Sequence, residues 1–207
     1  MIKVENIDVF GFDAAVRGMR NPMNSWDKSD SRYILDEMDF IIGQADLDLM
    51  QRLYKAGPEH RKYLRMIHVQ MDVTAPFYWW KEFDTYKVGT AANSCSTMHK
   101  ITSRPLTRED FSVEHLGGAE FYMDRIISEL NACIQLYNET KNKDYWWAVI
   151  QLLPSSYNQK RTIDFNYETA FNIIRQREGH KLDEWQEFIR ILKKELPHIR
   201  EIGGLDG

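Results

Sequence analysis

Ile67-His68-Val69-Gln70-Met71-Asp72-Val73-Thr74-Ala75-Pro76-Phe77-Tyr78-Trp79-Trp80-Lys81-Glu82-Phe83-Asp84-Thr85-Tyr86-Lys87-Val88-Gly89-Thr90 is the stretch on which the fold turns. From Ile67 to Val73 apolar and polar residues alternate strictly, which is the period of a strand with one buried face. Pro76 then suits the first turn of a helix, where its missing N–H would have no partner in any case. Phe77 to Tyr86 reads as a short aromatic-rich helix. Gly89 to Thr97 is a run of small polar residues that packs poorly, so a loop or close-approach segment is expected there.

Upstream, Ile2 to Phe10 alternates loosely and stops at Gly11, a first strand. Phe12 to Met19 reads as a short helix, Asn21 to Ser31 as a polar loop, and Tyr33 to Phe40 as a second short helix. Asp46 to Ala56 places Leu47, Leu49, Met50, Leu53 and Tyr54 on one helical face and ends at Gly57, a good stop. Downstream, Glu120 to Tyr137, Tyr145 to Leu153, Tyr167 to Arg177 and Leu182 to Leu196 all read as amphipathic helices. There is no internal repeat and no clear linker. The expectation is one α/β (α+β) domain over residues 1–207, helix-rich with a small mixed sheet.

Hydrophobic residues are 43% of the 207 and aromatics 13%, enough for a sizeable core and too many for a disordered chain. A net charge of −4 argues against coating a nucleic-acid polymer, which needs a basic surface, but leaves room for a small nucleotide. Cys95 and Cys133 fit neither a metal pattern nor a disulfide framework, so no metal is expected and a reducing cytoplasm is the simplest setting. The start of the chain lacks an apolar signal core, and no apolar run approaches membrane length, so no membrane partner is expected.

The stretch from Val73 to Thr90 resembles the strand-to-helix unit of the flavin-dependent thymidylate synthases, in which an Ala-Pro or similar pair opens a helix ending in R-H-R. A second region, Leu152-Leu153-Pro154 followed by Thr162, Asn166, Asn172 and Arg177, is similar to that family's LP…T…N-A-R…N…L-R stretch. With a two-residue insertion after Gly57 the resemblance covers roughly residues 1 to 195. It implies the family's fold, FAD as cofactor, NADPH and methylenetetrahydrofolate as co-substrates, and methylene transfer to C5 of deoxyuridylate followed by reduction. It also implies a cytoplasmic homotetramer of nucleotide biosynthesis with active sites between subunits. The large number of Trp, Tyr and Phe fits such an assembly.

The residues depart from the pattern in specific places. R-H-R falls on Thr85-Tyr86-Lys87, so only Lys87 keeps a charge, and an ammonium does not reproduce a guanidinium fork. The later S-x-N-E-x-S-x-R-Y falls near Thr90 to Met98, which puts Asn93, Cys95 and Ser96 at the expected substrate site. The arginine of N-A-R falls on Glu168, and the family's Glu-His falls on Arg65-Met66 rather than on Glu59-His60.

Each candidate has a functional and a bland reading. On a helix at about 100° per residue, Arg177 returns to within about 20° of Asn166, so both can face one cleft with Asn172 at its flank. A guanidinium fork with amide groups suits a phosphate or a pyrimidine edge; the bland alternative is a solvated face behind an Asn N-cap. The resemblance implies flavin contacts for Asn166, Asn172, Tyr86 and Lys87, and nucleotide contacts for Arg177, Asn93 and Ser96. The Cys95 thiolate is a candidate catalytic nucleophile for C6 of a pyrimidine, helped by Lys87 or His99; otherwise it is a small buried thiol. His99 and Lys100 read as a proton carrier and a phosphate anchor, or as a surface pair. Phe77, Tyr78, Trp79, Trp80 and Phe83 could stack a flavin or pterin, or form core and interface. Three functions therefore stand: the full flavin-dependent methyltransferase, a divergent relative that modifies another pyrimidine, and a nucleotide-binding protein without catalysis.

Overall fold

The computed structural model describes residues 2–34 and 39–205. The chain opens with strand β1 (Lys3–Phe10) and helix α1 (Phe12–Arg20), joined by Gly11 at φ +95°. A Cβ on Gly11 would lie 2.1 Å from the Met66 carbonyl oxygen, so only glycine fits this turn. Two short 3-10 turns follow, then strands β2 (Arg32–Ile34) and β3 (Asp39–Ile41), paired antiparallel with Tyr33 opposite Phe40. The helix expected over Tyr33 to Phe40 is therefore wrong at its described ends; residues 35–38 lie outside the described residues. The rings of Tyr33 and Phe40 meet edge-on with centroids 5.0 Å apart, a cross-strand aromatic pair that outweighs weak helical periodicity.

Helix α2 (Gln44–Ala56) ends at Gly57 as expected. Strand β4 (His68–Pro76) buries Val69, Met71, Val73 and Ala75, the alternation legible in the sequence. Pro76 is the last strand residue and precedes, rather than opens, helix α3 (Phe77–Phe83). That helix stops three residues short of Tyr86. Strand β5 (Thr90–Ser94) occupies the run of small residues expected to be a loop. Its side chains are mostly exposed and pack little, so its backbone pairing, not a hydrophobic pattern, makes it a strand.

Helix α4 (Thr97–Lys100), the long helix α5 (Glu120–Thr140) and helix α6 (Lys143–Leu152) come next. Strand β6 (Asn158–Asn166), which sequence reading missed, leads into α7 (Tyr167–Arg177), α8 (Asp183–Glu195) and α9 (Ile199–Gly203). The strands pair in the order β1-β4-β6-β5. Side chains give the sense of the central pair: His68 and Gln70 reach Asp164, while Asp72 reaches Thr162 and Lys160, so β4 and β6 run antiparallel. Among the described residues no helix is long and apolar enough to cross a membrane.

The contacts divide the chain into two compact units, and each of these four strands contributes residues to both. The first unit is Met1–Lys3, Asp72–Thr85 and Ala92–Thr162. Its main cluster joins Ile101, Leu106 and Phe111 to the inner face of α5 (Met123, Ile127, Leu130, Ile134) and to Val149 of α6. Asn131 of α5 clamps the Leu106 backbone with both ends of its amide, at 2.7 and 2.9 Å. The aromatic run is core here: Trp79, Trp80 and Phe83 are buried, with Trp79 stacked on Phe83 and Trp80 edge-on to both.

The second unit is Val4–Met71, Tyr86–Ala91 and Ile163–Gly207, built around buried Leu64, Tyr167, Trp185, Phe188 and Leu192. It also buries a charge. Asp46 at the start of α2 is fully buried and accepts bonds from the Arg20 guanidinium at 2.6 Å and from the Ser29 and Ser31 hydroxyls, each at 2.6 Å. Burial pushes the Asp46 carboxyl up, but the two serines and Arg20 overcome this and hold it below the ordinary carboxylate value.

Candidate functional site

In the first unit β5 ends at Ser94, and Cys95 follows it. The Cys95 N–H donates to the Lys160 carbonyl at 2.9 Å, and its own carbonyl accepts from the Gln159 side-chain amide at 2.9 Å. Gln159 is buried and is fixed in turn. Its side-chain oxygen accepts from Arg161 Nε at 2.9 Å, and its backbone carbonyl accepts from the Trp80 indole at 2.9 Å. The Arg161 guanidinium lies 4.3 Å from the Trp80 ring centroid and also pairs with Asp84 at 2.8 Å. A chain of contacts from buried Trp80 outward thus sets the Cys95 backbone, while its side chain is exposed.

Ser96 caps α4, accepting from the His99 N–H at 3.3 Å. Cys95 and Ser96 line a cavity of about 170 Å³ together with Thr97, Lys100, Arg104, Tyr157, Gln159 and Lys160. Three cations in so small a space suit an anion. They are not equally available. Arg104 forms a two-pronged pair with Asp110, and Lys160 pairs with Asp72 at 3.0 Å. The Lys100 ammonium has no partner among the described residues. Tyr157 is gripped between the rings of Phe77 and Phe111, and burial together with the Asp110 carboxylate pushes its phenol up, so it is a neutral donor at physiological pH.

Asn93 and His99 belong to this unit but do not line the cavity; both side chains are exposed. Sequence reading missed Arg104, Tyr157, Gln159 and Lys160. Gln159 and Lys160 enter through β6 and Tyr157 directly precedes it; the alternation of this strand is clear only in its second half, at Ile163 and Phe165.

The remaining predicted residues lie in the second unit. Asn166 is not on the helix. It ends β6 and is the N-cap of α7, its side-chain oxygen accepting from the Thr169 N–H at 3.0 Å. The assumption of a continuous helical face from Asn166 to Arg177 is therefore replaced by a cap and a helix end. Gly89, at φ +76°, passes so close that a Cβ there would meet the Asn166 amide nitrogen at 2.9 Å. Asn172 accepts from Arg175 at 3.2 Å. Arg177 donates Nε to the Tyr86 hydroxyl at 3.0 Å, and its guanidinium sits 4.7 Å from the Trp185 centroid and 5.6 Å from that of Tyr86. Lys87 is exposed. Glu168, where the family pattern has an arginine, pairs with Arg61 at 3.2 Å, an exchange of charge position within this unit.

No family model matches this sequence, and no curated protein does. Solved structures do. A thymidylate synthase X (ThyX) from Helicobacter pylori, crystallised with FAD and dUMP, aligns at a TM-score of 0.74 with 17% identity, over 98% of this chain and 97% of that one. A second structure of the flavin-dependent thymidylate synthase ThyX from Helicobacter pylori, also with FAD and dUMP, aligns at 0.73 with 17% identity, over 97% of each chain. Matching at nearly full length and low identity is evidence of shared architecture, and the chain therefore has the helix-rich, small-sheet fold of the flavin-dependent thymidylate synthases.

Proposed function

We propose that this chain binds a pyrimidine deoxynucleotide and acts on the ring in the manner of a thymidylate synthase, with Cys95 as the nucleophile. The observation that carries this reading is the shared cavity: one thiol beside Lys100, Arg104 and Lys160. A nucleoside monophosphate offers a dianion for the cations and an electrophilic C6 for sulfur. Addition of the Cys95 thiolate to C6 would place an electron pair at C5, ready to attack a one-carbon donor. Tyr157, kept protonated, is suited to donate a hydrogen bond to a ring carbonyl. Lys100 would take the phosphate, being the cation without a competing carboxylate.

FAD is the cofactor that the fold implies; bound, it would supply the reducing electrons. The residues that resemblance assigns to it fit poorly within one copy of the chain. Asn166 spends its oxygen on the helix cap, Asn172 on Arg175, and Tyr86 on Arg177, which leaves Lys87 as the assigned cation. The chemistry at Cys95 does not run through the flavin. The poor fit favours a second reading, a nucleotide-binding relative without the complete methyl-forming reaction.

Calorimetry with deoxyuridine monophosphate, followed by intact-mass measurement, tests the first reading. Binding is expected, with a nucleotide adduct that Cys95→Ala abolishes while binding survives. Binding with no adduct on the wild type selects the second reading, and no binding at all sinks both.

A further inference from the structure

Arg104 lies between α4 and α5 and lines the Cys95 cavity, yet its charge is spent on a neighbour. Its Nη1 and Nη2 reach the two carboxylate oxygens of Asp110 at 2.8 and 2.5 Å, and Nη1 also donates to the Pro105 carbonyl at 2.9 Å. The two partners are held very differently. The Arg104 side chain is 59% exposed and that of Asp110 only 13%. Asp110 closes a short 3-10 turn, where its carboxylate accepts from the Thr107 N–H at 2.8 Å and from the Thr107 hydroxyl at 3.3 Å. The next residue, Phe111, pairs its backbone with that of Tyr157 in the cavity wall, and the Ser112 N–H donates to the Ser156 carbonyl at 2.9 Å. The carboxylate is therefore fixed beside the cavity, and the guanidinium is a long exposed arm tied to it.

Burial pushes the Asp110 carboxyl up, but Arg104 and Thr107 overcome this and hold it below the ordinary carboxylate value, so it is ionised near neutral pH. While the pair is closed, Arg104 adds little net charge to the cavity. An exposed ion pair is weak, because water competes for both ends. A ligand that brings two negative charges beside Lys100 competes for the same guanidinium fork, and a phosphate matches that fork as well as a carboxylate does. Asp110 and such a ligand are alternative partners of one arginine.

We propose that Asp110 is a positioning residue that withholds Arg104 from the Cys95 cavity, and that a dianionic ligand engages the cavity by drawing Arg104 away from it. The identity of that ligand, a nucleoside monophosphate, rests on the function proposed above; the withheld arginine does not.

D110N keeps an acceptor oxygen for Thr107 and removes the charge that holds Arg104, so its thermal midpoint should stay close to wild type. D110S, which also lacks the charge, should behave alike. In calorimetry D110N should bind deoxyuridine monophosphate about three- to fivefold more tightly than wild type. A second measurement needs no nucleotide: the rate at which iodoacetate alkylates Cys95, read by peptide mass, relative to that of neutral iodoacetamide. A released guanidinium concentrates the anionic reagent, so this ratio should rise about twofold or more in D110N. R104Q/D110N should return both readings to wild-type values, since no arginine is left to release. An unchanged ratio, equal nucleotide affinities where both proteins bind, or a gain that survives in the double variant would each overturn the assignment. A raised ratio with no nucleotide bound by either protein would support the withheld arginine and sink the nucleotide reading instead.

Discussion

The cavity around Cys95 and the clamp around Arg177 were both expected to be ligand sites, and they are built in opposite ways. At Cys95 the scaffold fixes the backbone through Gln159, Arg161 and Trp80, and leaves the thiol and the Lys100 ammonium exposed. At Arg177 the side chain itself is engaged by Tyr86 and by the buried face of Trp185. A site needs groups whose hydrogen-bonding and charge capacity is unspent, so residue type and spacing must be read together with what already holds each group. On that measure the unspent groups lie around Cys95 in the first unit, while Arg177 in the second is held by its neighbours.

The largest expected effect concerns the buried charge pair of the second unit. Asp46→Ala removes the partner of a buried guanidinium and should destabilise by about 3–5 kcal/mol, measured by urea unfolding at neutral pH. The same pair has a pH signature. Because the folded-state carboxyl is held below its unfolded value, Asp46 stabilises fully above about pH 4 and loses that contribution as pH falls further. Asp46→Asn should flatten this part of the acid limb. An unchanged limb would mean that the pair adds nothing.

Arg177→Ala breaks or confirms the comparison directly. Losing the contact with Trp185 and the bond to Tyr86 should lower stability by about 1–3 kcal/mol with affinity for deoxyuridine monophosphate unchanged. A tenfold loss of affinity at full stability would restore Arg177 to the ligand site and reverse the contrast drawn above. Lys100→Ala should do the converse, weakening nucleotide binding by about 1 kcal/mol, roughly fivefold, with stability intact. The smallest signal expected is flavin itself. Fluorescence titration should find FAD held weakly and lost on gel filtration, and stoichiometric, unwashable FAD would show that the engaged side chains of the second unit rearrange to bind it.

Much of the fold was legible because burial imposes a period. β4 alternates from Val69 to Ala75, α2 and α7 carry helical faces, Gly11 stands where β1 turns into α1, and Gly57 stands where α2 ends. The antiparallel pair of β2 and β3 was not legible, since its strands are three residues each, too short to show a period. Nor was β5, whose small exposed residues carry no hydrophobic pattern at all.

The sequence by itself determined the composition of a helix-rich α/β chain, the strand-to-helix unit at Val73 to Thr90, and the presence of Cys95, Ser96 and Lys100 in one short segment. Only the tertiary structure decided which of those residues remain available. Gln159 and Lys160 reach Cys95 from 64 and 65 positions away because β6 carries them there, and Asn166 became a cap because α7 begins one residue later. Local pattern follows from burial along one element, whereas the spending of a polar group depends on neighbours distant in sequence, and these the chain meets only when it folds.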